Sequence, residues 1–378
     1  DSDVTINVGS IYSDEGATAT DNIDATVTVT TTGSVNPNIV GTYTITYNAI
    51  DSSGNAATPV TRTVNVIDVK APVITILGDN PVTIEVKSAY SDAGATAVDD
   101  VEGDVTSKIT TTSTVNTNDL GTYTVTYTVE DNSGNQSTAT RIVKVVDTTK
   151  PTIAFGTNGN STYARSKSTT VTVSDNLSVN TNSLKYLWNT STIEPAEASF
   201  GTTLTNGGAI TTPAGVTGDY YLWILAKDNS GNTTITGSNV FKLDNTKPVI
   251  TITGSNPATV SGGGTYSDAG ATASDAHSGL NGSISTTGSV NPNKLGTYTV
   301  TYNISDKAGN TATLSRTVNV VDNILPTVTG VSVPTTWTSG NKTITVTGSD
   351  TGLSGIAGYY ISTSSTKPTT GSAWTAST

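Results

Sequence analysis

The chain has 378 residues, a formal net charge of −12, 34% hydrophobic residues and only 13% charged residues. Its acidic balance argues against nucleic acid as a partner, because phosphate backbones are themselves negative. It contains no cysteine, which excludes a disulfide framework. No apolar run approaches the ~20 residues that a membrane-spanning helix needs, so membrane insertion is not expected.

Short alternating strands recur along the chain, each followed by a tight turn. In 121–129 tyrosine and valine alternate with threonine, so one face of the strand should be buried and the other solvated. An Asp-x-x-Gly-Asn turn follows at 131–135. The same stretch recurs at 41–55, at 296–310 and, in altered form, at 218–232. The chain is therefore predicted to be a tandem repeat.

A second motif, Asp-x-x-x-Pro, marks the boundaries between repeats. It starts at Asp68, Asp147, Asp244 and Asp322, each time after an apolar strand ending. Because proline forces extended geometry on its predecessor, these junctions should be short and stiff, with the domains standing end to end. The predicted domains are 1–68, 69–147, 148–245, 246–322 and 323–378.

Two of these domains are expected to be partial. Residues 4–8 match 82–86, so the first domain should lack the strand that 73–77 supplies in the second. The fifth domain ends before any counterpart of the Gly-x-Tyr strand that starts at 121, and it should lack its last strands. We expect the sequence to be part of a longer polypeptide, whose neighbouring domains would be its partners.

Regular short strands with Gly, Asn and Asp turns predict an all-β fold of tandem immunoglobulin-like (Ig-like) β-sandwich domains. A tyrosine near the start of the penultimate strand is similar to the tyrosine corner of that fold. We expect structural roles for these tyrosines: Tyr43, Tyr123, Tyr220 and Tyr298.

Four motifs together carry a family resemblance: Tyr-Ser-Asp-x-Gly-Ala-Thr-Ala, Gly-Thr-Tyr-x-[Val/Ile]-x-Tyr, Asp-x-x-Gly-Asn and Arg-x-Val-x-Val-x-Asp. They resemble the bacterial Ig-like surface domains related to hyalin repeats. The longer domain, 148–245, resembles a second bacterial Ig-like type. The resemblance implies a stalk or spacer in extracellular, cell-surface or secreted proteins, although such domains also decorate extracellular enzymes.

Three arginines share strand parity with buried valines and therefore need an anion on the core-facing side: Arg62, Arg141 and Arg316. The 148–245 domain lacks both this arginine and the Tyr-Ser-Asp-x-Gly segment. We therefore predict the pairs Arg62–Asp14, Arg141–Asp92 and Arg316–Asp268, in a structural role. A binding role is the alternative.

Aspartates should cluster where each domain receives the preceding one. The predicted groups are Asp68 with Asp99, Asp100, Asp104 and Asp131; Asp147 with Asp175 and Asp228; Asp244 with Asp275 and Asp306; and Asp322 with Asp350. Clustered carboxylates favour Ca²⁺, which would stiffen the junctions. The competing interpretation is turn capping, since Asp and Asn bond their own backbone without any metal.

Aromatic residues concentrate in the longer domain and suggest a sugar-stacking surface of Tyr186, Trp188, Tyr221 and Trp223. Core packing is the competing interpretation. The strand 220–226 is apolar on both faces and should be covered on both, with 195–213 as the expected cover.

No catalytic constellation occurs in the sequence. His277 is the single histidine, there is no nucleophile-base-acid set, and Gly262-Gly-Gly264 precedes no helix that could bind phosphate. We therefore expect a non-catalytic structural stalk of a bacterial cell-surface, S-layer, adhesin or filament protein. Two alternatives remain open: a carbohydrate-binding accessory arm of a secreted glycan-active enzyme, and a subunit that assembles with copies of itself into a sheet or fibre.

Overall fold

The structure, a computed structural model, describes residues 3–336, 339–340 and 342–359. The chain divides into two compact units, Asp1–Thr149 and Lys150–Thr378. Within the described residues the regular secondary structure is β-strand apart from three short 3₁₀ helices. In that part of the chain no helix has the length and apolar character needed to cross a bilayer. The all-β prediction is confirmed.

The first domain contains one four-stranded sheet, with the order β1-β4-β3-β2. Strand β1 runs parallel to β4, and the other neighbours are antiparallel. The strands are β1 Asp3–Asn7, β2 Val29–Thr32, β3 Gly41–Ala49 and β4 Val60–Ile67.

The second domain is a two-sheet sandwich. One sheet has the order β6-β11-β10-β9 and the other β5-β7-β8. The elements are β5 Val73–Ile76, β6 Val82–Glu85, β7 Ala95–Asp99, β8 Gly103–Asp104, a 3₁₀ helix Thr106–Lys108, β9 Thr110–Ser113, β10 Gly121–Glu130 and β11 Gln136–Val146.

The third domain has a small sheet, β12-β14-β17, and a larger one, β13-β20-β18-β15-β16, in which β19 also pairs with β18. Its strands are β12 Thr152–Phe155, β13 Asn160–Ala164, β14 Ser168–Ser174, β15 Lys185–Asn189, β16 Thr202–Thr203, β17 Ala209–Thr211, β18 Gly218–Lys227, β19 Thr233–Gly237 and β20 Phe241–Leu243. The two 3₁₀ helices are Thr181–Ser183 and Glu197–Ser199.

The fourth domain repeats the second, with sheets β22-β26-β25-β24 and β21-β23. Its strands are β21 Val249–Ile252, β22 Ala258–Ser261, β23 Ala271–Ser274, β24 Ser285–Thr287, β25 Gly296–Ser305 and β26 Thr311–Val321. In the fifth segment β27 Thr327–Ser332 pairs with β28 Thr345–Ser349. Most of its predicted second half, 360–378, lies outside the described residues.

The cores follow the two-residue period of the strands. In β10, Val125, Tyr127 and Val129 are buried, and they pack against residues of β5 and β11 such as Ile74 and Val143. The threonines between them face away and stay at least partly exposed. This alternation produces the predicted sandwich of one buried and one solvated face per sheet.

Strand β18 of the third domain is buried on both faces, as its composition predicts. Leu222 and Ile224 enter the main core, while Trp223 and Leu225 on the opposite face form a second cluster with Phe200. Phe200 lies within 195–213, the stretch expected to provide the cover. Every sheet lies inside one of the ranges predicted as domains, and the boundaries themselves stay predictions.

Candidate metal centre

The Asp-x-x-Gly-Asn turn after β10 fixes an aspartate and an asparagine at one end of the second domain. Asp131 Oδ1 accepts hydrogen bonds from the main-chain N–H groups of Ser133 and Asn135, both at 2.8 Å. The Asn135 side-chain amide donates to Asp131 Oδ2 at 2.7 Å. Gly134 has a φ of 89°, in the left-handed region that side chains disfavour, so the turn requires glycine there.

The same asparagine also contacts the preceding domain. Asn135 Nδ2 donates to the main-chain oxygen of Asp68 at 3.3 Å. In the fourth domain the equivalent Asn310 donates to the main-chain oxygen of Asp244 at 2.9 Å. Each turn thus holds the aspartate at the end of the preceding domain, Asp68 or Asp244, by a hydrogen bond that needs no metal.

Three aspartates meet at each of these two junctions. Carboxylate oxygens of Asp68, Asp99 and Asp131 lie within 4.8 Å of one another, and so do those of Asp244, Asp275 and Asp306. The two clusters are built from equivalent positions. In each, one aspartate follows the last strand of the preceding domain, one lies at or directly after the end of β7 or β23, and one lies in the turn after β10 or β25. The structure therefore brings together the core of both predicted groups.

Hydrogen bonds keep members of these clusters ionised. Burial alone would raise the pKa of Asp131, but the side-chain and main-chain donors of Asn135 and Ser133 lower it below its usual value. Burial likewise opposes ionisation of Asp244, yet hydrogen bonds from Ser278 and Thr246 lower its pKa. Ionised oxygen ligands with no nitrogen or sulfur form the donor set that Ca²⁺ prefers.

Two predicted members lie outside the first cluster. Asp100 forms an exposed ion pair with Lys70 at 2.7 Å. Asp104 is exposed, and its Oδ1 accepts a hydrogen bond from the N–H of Thr106 at 2.9 Å. The three-carboxylate group of this junction is formed without them, and their part in a metal site stays a prediction.

The remaining predicted groups are only partly described. Carboxylate oxygens of Asp175 and Asp228 lie within 4.8 Å of each other in the second unit. Their grouping with Asp147 spans the two units and stays a prediction. Asp322 and Asp350 both contact the hydroxyl of Ser354, which lies 3.5 Å from Asp350 Oδ2. The predicted proximity of Asp322 and Asp350 is thus present.

The predicted ion pairs of the three arginines are confirmed. The nitrogen–oxygen distances are 2.5 Å for Arg62–Asp14, 2.9 Å for Arg141–Asp92 and 2.6 Å for Arg316–Asp268. Arg141 also donates to the main-chain oxygens of Leu77 and Gly94, which flank β5 and β7. The arginine thus connects the two sheets of the sandwich.

Tyrosines complete these ion-pair networks, a feature that the sequence analysis missed. The hydroxyls of Tyr47 and Tyr302 donate to Asp14 and Asp268 at 2.6 and 2.7 Å, and Tyr127 donates likewise to Asp92. The signal is present in the sequence, because the second tyrosine of Gly-Thr-Tyr-x-[Val/Ile]-x-Tyr occurs in the three domains that carry the arginine.

The networks raise the pKa of their tyrosines and lower the pKa of their aspartates. Burial and the hydrogen bond to Asp14 raise the pKa of Tyr47 to about 12. The same two causes raise the pKa of Tyr302 to about 12, through Asp268. Burial alone would raise the pKa of Asp268, but hydrogen bonds from Tyr302 and Tyr266 and the charge of Arg316 lower it.

Three of the four predicted tyrosine corners are present. The hydroxyls of Tyr43, Tyr123 and Tyr298 donate to main-chain oxygens four residues upstream, at 2.9, 3.0 and 2.8 Å. Tyr220 makes no such bond among the described residues. The segment before β18 is held differently, because Asn245 Nδ2 donates to the main-chain oxygen of Val216 at 2.7 Å.

The four aromatic residues predicted to bind sugar do not share one exposed surface. Tyr186 and Trp188 pack against the main core, where the Trp188 ring meets Phe241 edge-on at 5.3 Å. Trp223 lies on the other face of the sheet, is 8% exposed and packs with Leu225, Phe200 and Tyr221. These contacts match the competing interpretation, core packing.

A family model described as "Bacterial surface protein, Ig-like domain" matches residues 1–66, 74–145 and 250–320, which together exceed half of the chain. These ranges are the three domains with the arginine networks. The matches leave out the longer 148–245 domain.

Curated relatives include hyalin, an adhesin and a phage protein. The chain is 29% identical over 326 residues to hyalin of Strongylocentrotus purpuratus, covering 76% of this chain and 25% of hyalin. It is 34% identical over 161 residues to the serine-rich adhesin for platelets of Staphylococcus aureus strain MSSA476, covering 36% of this chain and 7% of the adhesin. An uncharacterized 81.3 kDa protein of Acholeplasma phage L2 is 38% identical over 122 residues, covering 30% of this chain and 16% of the phage protein. The chain therefore spans a quarter or less of the length of these relatives.

Among solved structures, the alignment with the protocadherin gammaB4 extracellular domain covers 93% of this chain and 73% of the protocadherin chain. The sequence identity is 12% and the TM-score is 0.36. The desmocollin-1 ectodomain aligns with 87% of this chain and 82% of its own, at 12% identity and a TM-score of 0.24.

Proposed function

Because the chain belongs to the family of bacterial surface protein Ig-like domains, we propose that it is a non-catalytic spacer within a larger surface protein, S-layer, adhesin or filament. In this role the domains separate a functional end from the cell by standing in line. Their partners are the neighbouring domains of a longer chain. The family is extracellular, which agrees with this role.

The observation that carries the proposal is the repeated junction. An aspartate directly follows the last strand of each preceding domain, and we call it the exit aspartate. Asn135 of the second domain donates to the exit aspartate Asp68, and Asn310 of the fourth donates to Asp244. The exit carboxylates add local bonds, since Asp68 Oδ1 accepts the Lys70 N–H and Asp244 Oδ1 accepts the Thr246 N–H, both at 2.9 Å. A spacer needs domains that are fixed relative to their neighbours, whereas domains that move independently need no such bonds between them.

Calcium is the finer part of this proposal. Each junction cluster combines a carboxylate from one domain with two from the next. A divalent cation bound there would cross-link the two domains and remove the repulsion among three carboxylates. We propose that Ca²⁺ stiffens the joints that the asparagines already define.

The width of an interdomain distance distribution tests the spacer role. The sequence contains no cysteine, so Thr172→Cys in β14 and Thr272→Cys in β23 provide two unique sites for spin labels. Both threonines are exposed. Pulsed electron paramagnetic resonance should give a narrow distance distribution between the third and fourth domains.

A matched control inserts a short Gly-Ser linker between Thr246 and Lys247. The insertion should broaden the distribution, because a flexible linker of about six residues spans roughly 13 Å root-mean-square. If the uninterrupted chain already gives a distribution as broad as the linker variant, the joint is flexible and the spacer proposal fails.

A further inference from the structure

The first junction contains two buried carboxylate oxygens that have no hydrogen-bond donor. Asp68 is 5% exposed and Asp99 is 3% exposed. Among the described residues, the Oδ2 atom of each is buried and accepts no hydrogen bond. The Oδ1 atoms are occupied, by the Lys70 N–H at 2.9 Å and by the Val101 and Glu102 N–H groups at 2.9 Å each. The Oδ2 atoms therefore remain for a ligand.

Among the described residues no cation forms an ion pair with Asp68 or Asp99, although the charge of Lys70 acts on both from a distance. Asp131 adds a third carboxylate, with an oxygen within 4.8 Å of the other two. The Lys70 ammonium is 2.7 Å from Asp100 in an ion pair whose two side chains are both exposed. Burying a carboxylate oxygen that accepts no hydrogen bond is costly, so the two Oδ2 atoms favour a bound cation.

We propose that Asp68, Asp99 and Asp131 bind one Ca²⁺ ion, with the Oδ2 atoms of Asp68 and Asp99 as direct ligands. This inference rests on the junction role proposed above and assigns its ligand to particular atoms. The three carboxylates come from separate segments, the end of β4, the end of β7 and the turn after β10. Such a set suits the variable geometry of Ca²⁺ better than the strict octahedron of Mg²⁺.

The second junction offers fewer uncommitted oxygens. Asp244 Oδ2 accepts the Ser278 N–H at 3.1 Å, so within the described part of this cluster only the Asp275 Oδ2 lacks a donor. Asp275 is also only partly buried. The chain's own donors thus satisfy more of this cluster, and it should bind Ca²⁺ more weakly than the first.

Calorimetric titration of the full chain with CaCl₂, after removal of metals with a chelator, tests the site. The decisive variant is Asp99→Asn. Its amide oxygen can still accept from Val101 and Glu102, while its NH₂ group replaces the uncommitted oxygen. Asp104→Asn is the control, because Asp104 also caps a nearby main-chain N–H but lies outside the cluster.

We expect Asp99→Asn to weaken the tightest Ca²⁺ binding by more than the roughly 10- to 100-fold that loss of an outer-shell partner costs. Asp104→Asn should leave it unchanged, and Asp275→Asn should affect only a weaker phase. MgCl₂ should bind more weakly than CaCl₂. Circular dichroism should show that Asp99→Asn retains its β structure.

Unchanged tight binding in Asp99→Asn, or the absence of Ca²⁺ binding to the parent chain, would overturn the assignment. Scattering measurements separate this failure from failure of the spacer role. An extended particle without Ca²⁺ binding would refute the metal site alone, and a compact particle that still binds Ca²⁺ would refute the spacer alone.

Discussion

The side chain of Asn310 donates to the main-chain oxygen of Asp244 at 2.9 Å, although 66 residues separate them in sequence. Asp244 directly follows β20, the last strand of the third domain, and Asn310 belongs to the turn after β25 of the fourth. Both residues are buried. The relationship between Asn135 and Asp68 repeats it at the first junction, at 3.3 Å. A turn motif therefore serves both to close a hairpin and to hold the neighbouring domain.

Asn310→Ala should loosen this junction. The variant removes the hydrogen bond to Asp244 and leaves a buried carbonyl oxygen unsatisfied, which costs about 1–3 kcal/mol. We expect a broader distance distribution between labels at positions 172 and 272. Asn55→Ala is the matched control, because Asn55 makes the same turn bond to Asp51, at 2.7 Å, without a junction carbonyl among the described residues. An equal loss of unfolding free energy in both variants would show that the turn alone matters.

The arginine network should be a main source of stability in its domain. Arg316 is 2% exposed and contacts Asp268, Thr253 and Gly270. Arg316→Met would leave Asp268 without its cation and should cost about 3 kcal/mol in the free energy of unfolding of the fourth domain. Chemical denaturation monitored by circular dichroism measures this. Arg62→Met should cost less, because the Arg62 side chain is 13% exposed. The reverse order would contradict the role given to burial.

Stability should fall at alkaline pH. The pKa of Tyr47, Tyr90 and Tyr302 is raised to about 12 in the folded protein, first by burial and then by hydrogen bonds to aspartates. A raised pKa means that the folded state retains a proton that the unfolded chain releases near pH 10. This contribution is fully present below about pH 10 and is lost as pH rises towards about 12.

Thermal unfolding followed from pH 9 to 12, together with tyrosinate absorbance, checks this prediction. Some tyrosines should titrate only near pH 12 or on unfolding, and Tyr302→Phe should remove part of the late fraction. Complete titration near pH 10 with an intact fold would contradict the networks.

Trp223 should act as a core residue. Trp223 packs with Phe200 and Leu225 and is 8% exposed. Trp223→Ala should therefore lower the free energy of unfolding by about 3 kcal/mol or more. Thermal unfolding of the variant measures the loss. Glycan-array binding by the parent chain that disappears in a fully folded Trp223→Ala variant would instead support the accessory-arm alternative.

Local periodicity predicted much of this molecule. The buried face of β10, the two-sided burial of β18 and the inward direction of Arg141 and Arg316 follow from strand parity. Their partners Asp92 and Asp268 follow from the domain that lacks both the arginine and the Tyr-Ser-Asp-x-Gly segment. The sequence predicted that 195–213 covers β18, but it did not identify Phe200 as the residue that packs inward. Irregular segments have no periodicity from which the buried side chain can be predicted.

Side chains in turns were harder to predict. Topology alone placed Asp68, Asp99 and Asp131 at one end of the domain. It also included Asp100 and Asp104, whose carboxylates contact Lys70 and the Thr106 N–H. The hydrogen bond from Asn135 to Asp68 was missed for a related reason. It depends on the register between two domains, which no single repeat contains.

Small-angle X-ray scattering of the 378-residue chain, with and without Ca²⁺, tests the central claim most directly. Five domains in line would project on the order of 150 Å, corresponding to a radius of gyration of about 43 Å. We predict a radius of gyration in that range. The interdomain peaks of the pair-distance distribution should be sharper in Ca²⁺ than in chelator. A radius of gyration near about 21 Å, as for a compact globule of this length, would contradict the account.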